Sequence, residues 1–139
     1  IRVDMPKGDV LLDDMLSMFP FKNSLVYVEH KGSVIRGWLE DMAAGKFQVL
    51  GGVRVVAQDG KLVSVEIDGE PLDDEKVYGV ATISFLMEGG DGLAIGRGAL
   101  SVTDFKDWDI IDAVLEYIYA ETKAGRPIVY HKDGRVVIR

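Results

Sequence analysis

Ile83-Ser84-Phe85-Leu86-Met87-Glu88-Gly89-Gly90-Asp91-Gly92 passes from a short helical pattern into a cluster of three glycines around one carboxylate. Glycines allow positive φ and a close approach of the backbone to a ligand or to another segment. A carboxylate held in such a loop presents hydrogen-bond acceptors at a fixed position. Beside the ring of Phe85, the carboxylate of Asp91 suits a nucleobase that carries sugar hydroxyls. A glycine cluster by itself also fits a plain tight turn, so a second segment has to decide.

The second segment is Phe19-Pro20-Phe21-Lys22-Asn23. Pro20 fixes its own φ and biases Phe19 towards an extended conformation, so Phe21 is presented from a stiff corner. In order along the chain, residues 1–2, 19–21, 25–32, 48–52, 78–82 and 85–92 resemble the C-terminal domain of the 5'-nucleotidase family. Members of that family are two-domain metallophosphoesterases that hydrolyse nucleotides and related phosphoesters.

The resemblance implies a nucleotide site in this chain. A nucleobase is expected to lie between Phe21 and Phe85, and Asp91 is expected to bind the ribose hydroxyls. Arg2 occupies the place of the arginine that binds phosphate in the family. The glycine run and the asparagine that precede this arginine in the family have no counterpart, because the sequence begins at Ile1.

Four further positions complete the expected site. By resemblance, Gly51 and Gly52 line the base pocket, and Gly90 belongs to the loop that carries the ribose-binding carboxylate. Polar groups near Asn23 or near the Gly51-Gly52 pair are the candidates for reading the edge of the base. Leu93 stands where many family members have an aromatic residue, a change that we expect to be tolerated.

Composition bounds the class of protein. The chain has 139 residues, of which 47% are hydrophobic and 28% charged, so one globular domain over residues 1–139 is expected. A net charge of −7 argues against binding to nucleic acid or to an anionic membrane surface. An anionic nucleotide then needs local positive charge, for which Arg2, Lys22 and Arg54 are candidates. No apolar run is long enough for a membrane helix.

Catalytic groups are scarce in this sequence. There is no cysteine, no serine in a nucleophile elbow and no P-loop. His30 and His131 each lie beside a lysine, which favours solvated surface positions over metal binding. The acidic clusters at residues 13–14 and 73–75 lack the ligand spacing of a calcium loop. We therefore predict no catalytic residue, metal site or cofactor in this chain.

The resemblance assigns catalysis to a different domain. It implies a pair of divalent metal ions in an N-terminal metallophosphoesterase domain, which would be the partner of this chain. The start at Ile1 suggests that the domain has been excised from a longer protein. Family members are mostly exported or surface-attached, so a periplasmic or cell-surface location is expected by resemblance alone.

Hydrophobic patterns predict an α+β fold, in which a mixed sheet carries helices on its faces. The helices alternate irregularly with hairpins, which fits a regular parallel array poorly. Helices are predicted over residues 12–19 and 33–45, and from an Asp107 cap through Trp108, Ile111, Leu115 and Ile118 to Gly125. Strands are predicted over residues 25–30, 47–50, 53–58, 62–67 and 77–83, and in a last hairpin of residues 128–130 and 135–138. The predicted hairpin turns are Asp59-Gly60, between the strands 53–58 and 62–67, and Asp133-Gly134 in the last hairpin. Phe19, Trp38, Tyr117 and Tyr119 are interpreted as packing residues.

Two alternative functions remain open on the sequence. The first is a non-catalytic interaction module that keeps the fold and docks a partner protein. The second is a free-standing hydrolase that acts through Asp91. An asparagine and glycines upstream of Ile1, or a metallophosphoesterase domain before them, would distinguish the nucleotide-binding domain from both.

Overall fold

Helices and short hairpins alternate irregularly along the chain, as a computed structural model describes it for residues 1–129 and 131–139. In chain order the elements are α1 (Leu12–Met18), β1 (Ser24–Lys31), α2 (Gly32–Ala44), β2 (Val53–Gln58), β3 (Lys61–Ile67), β4 (Glu70–Pro71), β5 (Val77–Ile83), α3 (Ser84–Met87), β6 (Ser101–Asp109), α4 (Ile110–Lys123) and β7 (Val136–Ile138). This order confirms the predicted α+β class.

The strands are divided between two sheets. One sheet has the order β5-β1-β6, and the other has the order β4-β3-β2-β7. The second sheet is mixed, because β2 pairs antiparallel with β3 and parallel with β7. Between β2 and β3, Asp59 and Gly60 both have positive φ, 50° and 73°, as the predicted two-residue hairpin turn requires.

By their internal contacts the residues form two compact units, which we call unit 1 and unit 2. Unit 1 comprises Ile1–Val28 and Ala81–Val129. Its buried apolar side chains include those of Met15 and Met18 on α1, Val26 on β1, and Ile95. Unit 1 therefore contains both segments on which the sequence argument rested.

Unit 2 comprises Glu29–Val80 and the C-terminal residues 131–139. Its core contains Ile35, Leu39 and Met42, whose spacing places them on one face of α2. Val55 and Val65, which are cross-strand partners in β2 and β3, are also buried. In this unit an amphipathic helix thus accompanies a hairpin that has its own buried face.

One predicted strand and one predicted hairpin are wrong. Residues 47–50, all within the described part of the chain, form no strand, and Val49 is 96% exposed. Four apolar-rich residues between glycines are too few to fix a strand when the tertiary structure offers no partner. In the last hairpin, residues 128 and 129 are not strand residues, and Tyr130 lies outside the described residues. The other half of that hairpin is β7, which pairs in parallel with β2 instead.

The boundary between β6 and α4 also differs from the prediction. Helix α4 begins at Ile110, and the backbone N–H of Asp109 donates to Oδ2 of Asp112 at 2.9 Å, so Asp109 and not Asp107 precedes the first turn. Trp108 belongs to β6 and is 41% exposed. Tyr117 and Tyr119, predicted to be packing residues, are exposed on α4.

His30 corrects the prediction of two surface histidines. The imidazole is fully buried and meets the ring of Trp38 edge to face, with centroids 4.8 Å apart and planes at 82°. The cause is the period of β1, which buries Val26, Val28 and His30 in turn, so the buried face extends one residue pair further than the apolar letters indicate. His131 is exposed, as predicted.

Candidate functional site

The ring of Phe85 lies against the backbone of Gly90. β5 leads directly into the single-turn helix α3, which places Phe85 one residue after the start of that helix. A Cβ atom built on Gly90 would lie 2.5 Å from Cδ1 and 2.6 Å from Cζ of Phe85, and closer still to Cε1. Phe85 as a whole residue is nevertheless 49% exposed. Phe85 therefore has one side supported by the loop and a large part of its surface available for contact.

Asp91 follows in a strained turn. Its φ of 52° and ψ of 19° are left-handed, a conformation that aspartate tolerates better than most residues. Gly89 and Gly92 flank it with φ of 114° and 79°. Backbone hydrogen bonds from Gly92 N to Gly89 O at 3.1 Å and from Leu93 N to Gly90 O at 3.2 Å close the turn. Asp91, which directly follows Gly90, is therefore an exposed residue in a hydrogen-bonded turn.

The segment after the turn folds back onto α3. Ile95 N donates to Leu86 O at 3.0 Å, and Gly96 N donates to Met87 O at 2.9 Å. The side chain of Ile95 is buried. These contacts hold the residues after the Gly-Gly-Asp-Gly turn to the short helix that precedes it, so Phe85 and the turn form one local structure.

Arg2 and Phe21, two of the predicted site residues, are in contact. The guanidinium carbon of Arg2 lies 4.8 Å from the centroid of the Phe21 ring, a cation–π geometry. The backbone N–H of Arg2 donates to Met18 O at 3.0 Å, which fixes this part of the chain beside the end of α1. Phe21 is 56% exposed. The sequence assigned separate roles to the two side chains and did not predict their stacking.

Asn23 is held by its backbone. Its carbonyl accepts a hydrogen bond from Ile110 N at 2.9 Å, and the residue is half-buried. In the next residue, Ser24 Oγ donates to Oδ1 of Asp104 at 2.7 Å. These bonds anchor the chain immediately after Phe21, while Lys22 is exposed.

Gly51 and Gly52 belong to unit 2, in the irregular segment between α2 and β2. Gly52 needs its glycine conformation, with φ of 71°. The carbonyl of Leu50 accepts from Nη1 of Arg135 at 3.0 Å, which ties this segment to the residues before β7. Arg54 Nη1 reaches the carbonyl of Asp133 at 3.4 Å.

Arg135 and Asp133 were not singled out by the sequence argument. Both Nε and Nη2 of Arg135 donate to the carboxylate of Asp133, with the shortest distance at 2.7 Å. These bonds lower the pKa of Asp133 from 3.8 to about 2. Asp133-Gly134 was predicted to be a hairpin turn. The sequence signal for the ion pair is the Asp-x-Arg spacing of residues 133 and 135, which brings the two side chains within reach of each other.

Each unit has a cavity that described residues line. A cavity of about 260 Å³ in unit 2 has walls that include Gly52, Arg54, Glu66 and Arg135. A cavity of about 820 Å³ in unit 1 lies between residues 5–10 and the residues from Ile118 to Ile128. Within residues 1–129 and 131–139 no three histidine, cysteine, aspartate or glutamate side chains are grouped as they would be to hold a metal ion. No described helix is long and apolar enough to cross a membrane.

Comparisons with known proteins give consistent matches. The family model for "5'-nucleotidase, C-terminal domain" matches residues 1–96. Protein UshA of Yersinia enterocolitica is 41% identical over 98 residues, covering 66% of this chain and 18% of that protein. The crystal structure of a 5'-nucleotidase precursor from Thermus thermophilus has a TM-score of 0.86 at 26% identity, covering 99% of this chain and 29% of that one. The structure of Haemophilus influenzae NAD nucleotidase has a TM-score of 0.74 at 25% identity, covering 95% and 27%. The chain therefore spans less than a third of each of these relatives.

Proposed function

This chain belongs to the 5'-nucleotidase C-terminal domain family, and we propose that it binds the nucleoside part of a nucleotide. The observation that carries the proposal is the ring of Phe85 against Gly90, with the left-handed Asp91 as the next residue. Stacking of a base on an aromatic ring contributes about 1–3 kcal/mol and tolerates every base. A hydrogen bond to the charged carboxylate of Asp91 contributes about 1.5–3 kcal/mol. Phe85 would therefore bind the base, and Asp91 the ribose hydroxyls.

Phe21 is proposed to bind the second face of the base, and Arg2 is proposed to bind the phosphate. A ring has two faces, so the guanidinium over Phe21 leaves the other face for a base. Arg2 is exposed, and its guanidinium can donate to a phosphate without leaving the aromatic ring, because donors lie in its plane and stacking uses its face. Base and phosphate would then be recognised by neighbouring side chains.

Hydrolysis is proposed to take place in a separate N-terminal metallophosphoesterase domain. A pair of divalent metal ions there would hold the phosphate and activate water. Binding energy from the remote base and ribose would orient the phosphate at those metals, which is how non-reacting parts of a substrate raise the rate. As a part of such a phosphohydrolase, the chain would serve nucleotide breakdown in the periplasm or at the cell surface.

Titration of the 139-residue chain with adenosine, followed by NMR or calorimetry, tests the proposal. Phe85→Ala should weaken adenosine by about 5- to 150-fold, because a stacking contact is lost. Phe105→Ala is the matched control, since Phe105 is a ring of similar exposure, 45%, on β6.

Asp91→Asn tests the ribose contact in the same assay. Asparagine also tolerates the left-handed conformation, so the change removes the charge and keeps the turn. Adenosine should weaken by about 10- to 100-fold and 2',3'-dideoxyadenosine much less. Asp59→Asn is the control, because Asp59 also precedes a glycine and has a φ of 50°. If the wild-type chain does not bind adenosine, or if Phe85→Ala and Phe105→Ala act alike, the proposal is wrong, and the interaction module becomes the better explanation.

A further inference from the structure

We infer that Gly90 is a positioning residue, which sets the ring of Phe85 beside Asp91 so that base and ribose are recognised by one preformed surface. This inference rests on the proposed function, in which Phe85 binds the base and Asp91 the ribose. It concerns a residue that would act through Phe85 and through the absence of its own side chain.

Space, and not backbone conformation, is what requires glycine at position 90. Gly89 and Gly92 have positive φ, 114° and 79°, and need glycine for that reason. Gly90 is not among the positive-φ glycines of the described chain, so an alanine there meets no left-handed backbone penalty. Its Cβ would instead lie 2.5 Å from Cδ1 and 2.6 Å from Cζ of Phe85. The ring occupies the volume of the missing side chain.

We expect the overlap between a Cβ at residue 90 and the ring of Phe85 to be relieved by movement of the ring and not of the backbone. The three atoms nearest to such a Cβ all belong to the ring of Phe85, a half-exposed residue whose ring can rotate about two side-chain torsions into solvent. Gly96 differs in this respect, because its Cβ would meet the carbonyl oxygen of Met87 at 3.0 Å as well as that side chain. Substitution of Gly90 should therefore move Phe85 while the turn and α3 remain formed.

The consequence concerns how the ligand is recognised. With the ring supported by residue 90 and the carboxylate carried by residue 91, the spacing of the two contacts is set before the ligand arrives. Such preorganisation lowers the entropic cost of binding a ligand that presents base and ribose together. A displaced ring would have to be reordered for each binding event.

The test is a double-mutant cycle on Gly90 and Phe85 in the 139-residue chain, with adenosine as the probe. Gly90→Ala alone should weaken adenosine by at least about 5-fold, with thermal stability close to that of the wild type. In the Phe85→Ala background the same change should have little effect, because the ring through which Gly90 acts is gone. Gly37→Ala in α2 is the control, since a Cβ built there meets no described atom within 4 Å other than those of its chain neighbours and the backbone of its own helix.

A ligand-independent measurement completes the test. In the free wild-type chain, nuclear Overhauser effects should connect the Phe85 ring protons with the Gly90 α protons, and the ring signals should shift in Gly90→Ala. Equal losses of affinity in both backgrounds, or an affinity that Gly90→Ala leaves unchanged, would overturn the inference alone. Absence of adenosine binding by the wild-type chain would overturn the proposed function, and this inference with it.

Discussion

At the scale of single residues, the contact between Arg2 and Phe21 joins two proposed roles. A guanidinium 4.8 Å from a ring centroid at an exposed site is stabilised by about 0.5–1 kcal/mol. That energy is small beside a charge-assisted bond to phosphate, about 1.5–3 kcal/mol. A phosphate can therefore draw Arg2 into a new hydrogen bond without a large loss at Phe21.

Arg2→Ala separates the two roles. AMP should bind about 10- to 100-fold more weakly, because the bond to the phosphate is lost. Adenosine should bind with unchanged or slightly higher affinity, since one face of Phe21 is uncovered. Calorimetry with both ligands measures the difference. Arg97→Ala is the control, because Arg97 is an exposed arginine in the glycine-rich segment of the same unit. Equal weakening of AMP and adenosine would instead mean that Arg2 acts by packing on Phe21.

Residue-scale features divide by what determines them. The glycines at 89 and 92 and the turn around Asp91 follow from local backbone preferences, so the sequence indicates them. The contact between Phe85 and Gly90, and that between Arg2 and Phe21, depend on the direction of a ring after α3 and α1 have packed. The local sequence does not indicate the directions of these rings.

At the scale of secondary structure elements, predictions held where a local signal was strong. Asp59-Gly60 defined a hairpin, and the apolar face of α2 has the expected spacing. The last hairpin, which an Asp-Gly pair suggested, was predicted wrongly, because residues 128 and 129 are not strand residues, whereas the strand predicted over 135–138 is present as β7. There β7 gains more by pairing with β2, over Val55↔Val136 to Ala57↔Ile138, a non-local choice that no turn residue signals.

Directly before β7, Asp133 and Arg135 form an ion pair whose contribution to stability depends on pH. The pKa of Asp133 is lowered from 3.8 to about 2 by hydrogen bonds from Arg135. A carboxyl group with a depressed folded-state pKa stabilises the fold above its unfolded pKa, and this contribution is lost as the pH falls through the folded value. Asp133→Asn should therefore lower the unfolding midpoint at pH 7, and the difference from wild type should shrink between pH 3.8 and about 2.

Amide hydrogen exchange would locate the region of the chain that Asp133→Asn destabilises. Arg135 also donates to the carbonyl of Leu50. Because Asp133→Asn removes the ion pair that holds Arg135 in place for this bond, it should speed amide exchange in residues 46–52. Glu121→Gln is the matched control, since it breaks the ion pair with Arg126 at the end of α4 in unit 1. A pH-independent difference between Asp133→Asn and wild type would show that the ion pair with Arg135 is not its cause.

At the scale of the whole molecule, charge and composition bound what the chain does. A net charge of −7 disfavours the approach of an anionic nucleotide, so affinity has to come from short-range contacts such as stacking. The chain also spans only 29% of a 5'-nucleotidase precursor with the same fold over 99% of the chain. The sequence could predict the family, because its ordered motifs record it; the nucleotide-binding role stays a prediction. Which nucleotide the proposed site would prefer depends on polar groups around the base edge, whose positions are set by the tertiary structure.

The 139-residue chain is expected to bind nucleosides without hydrolysing nucleotides. A dinuclear site of the family's type needs several histidines and carboxylates around two metals, whereas this chain has two histidines and no cysteine. One of those histidines, His30, is fully buried beside Trp38. Incubation with manganese or magnesium should therefore release no phosphate from AMP, and no UMP or sugar phosphate from UDP-glucose, above the rate of a buffer control. Turnover that co-purifies with the chain and is abolished by Asp91→Asn would contradict this expectation and favour the free-standing hydrolase. Turnover that Asp91→Asn and Phe85→Ala both leave unchanged would identify a contaminating enzyme, and the expectation would stand.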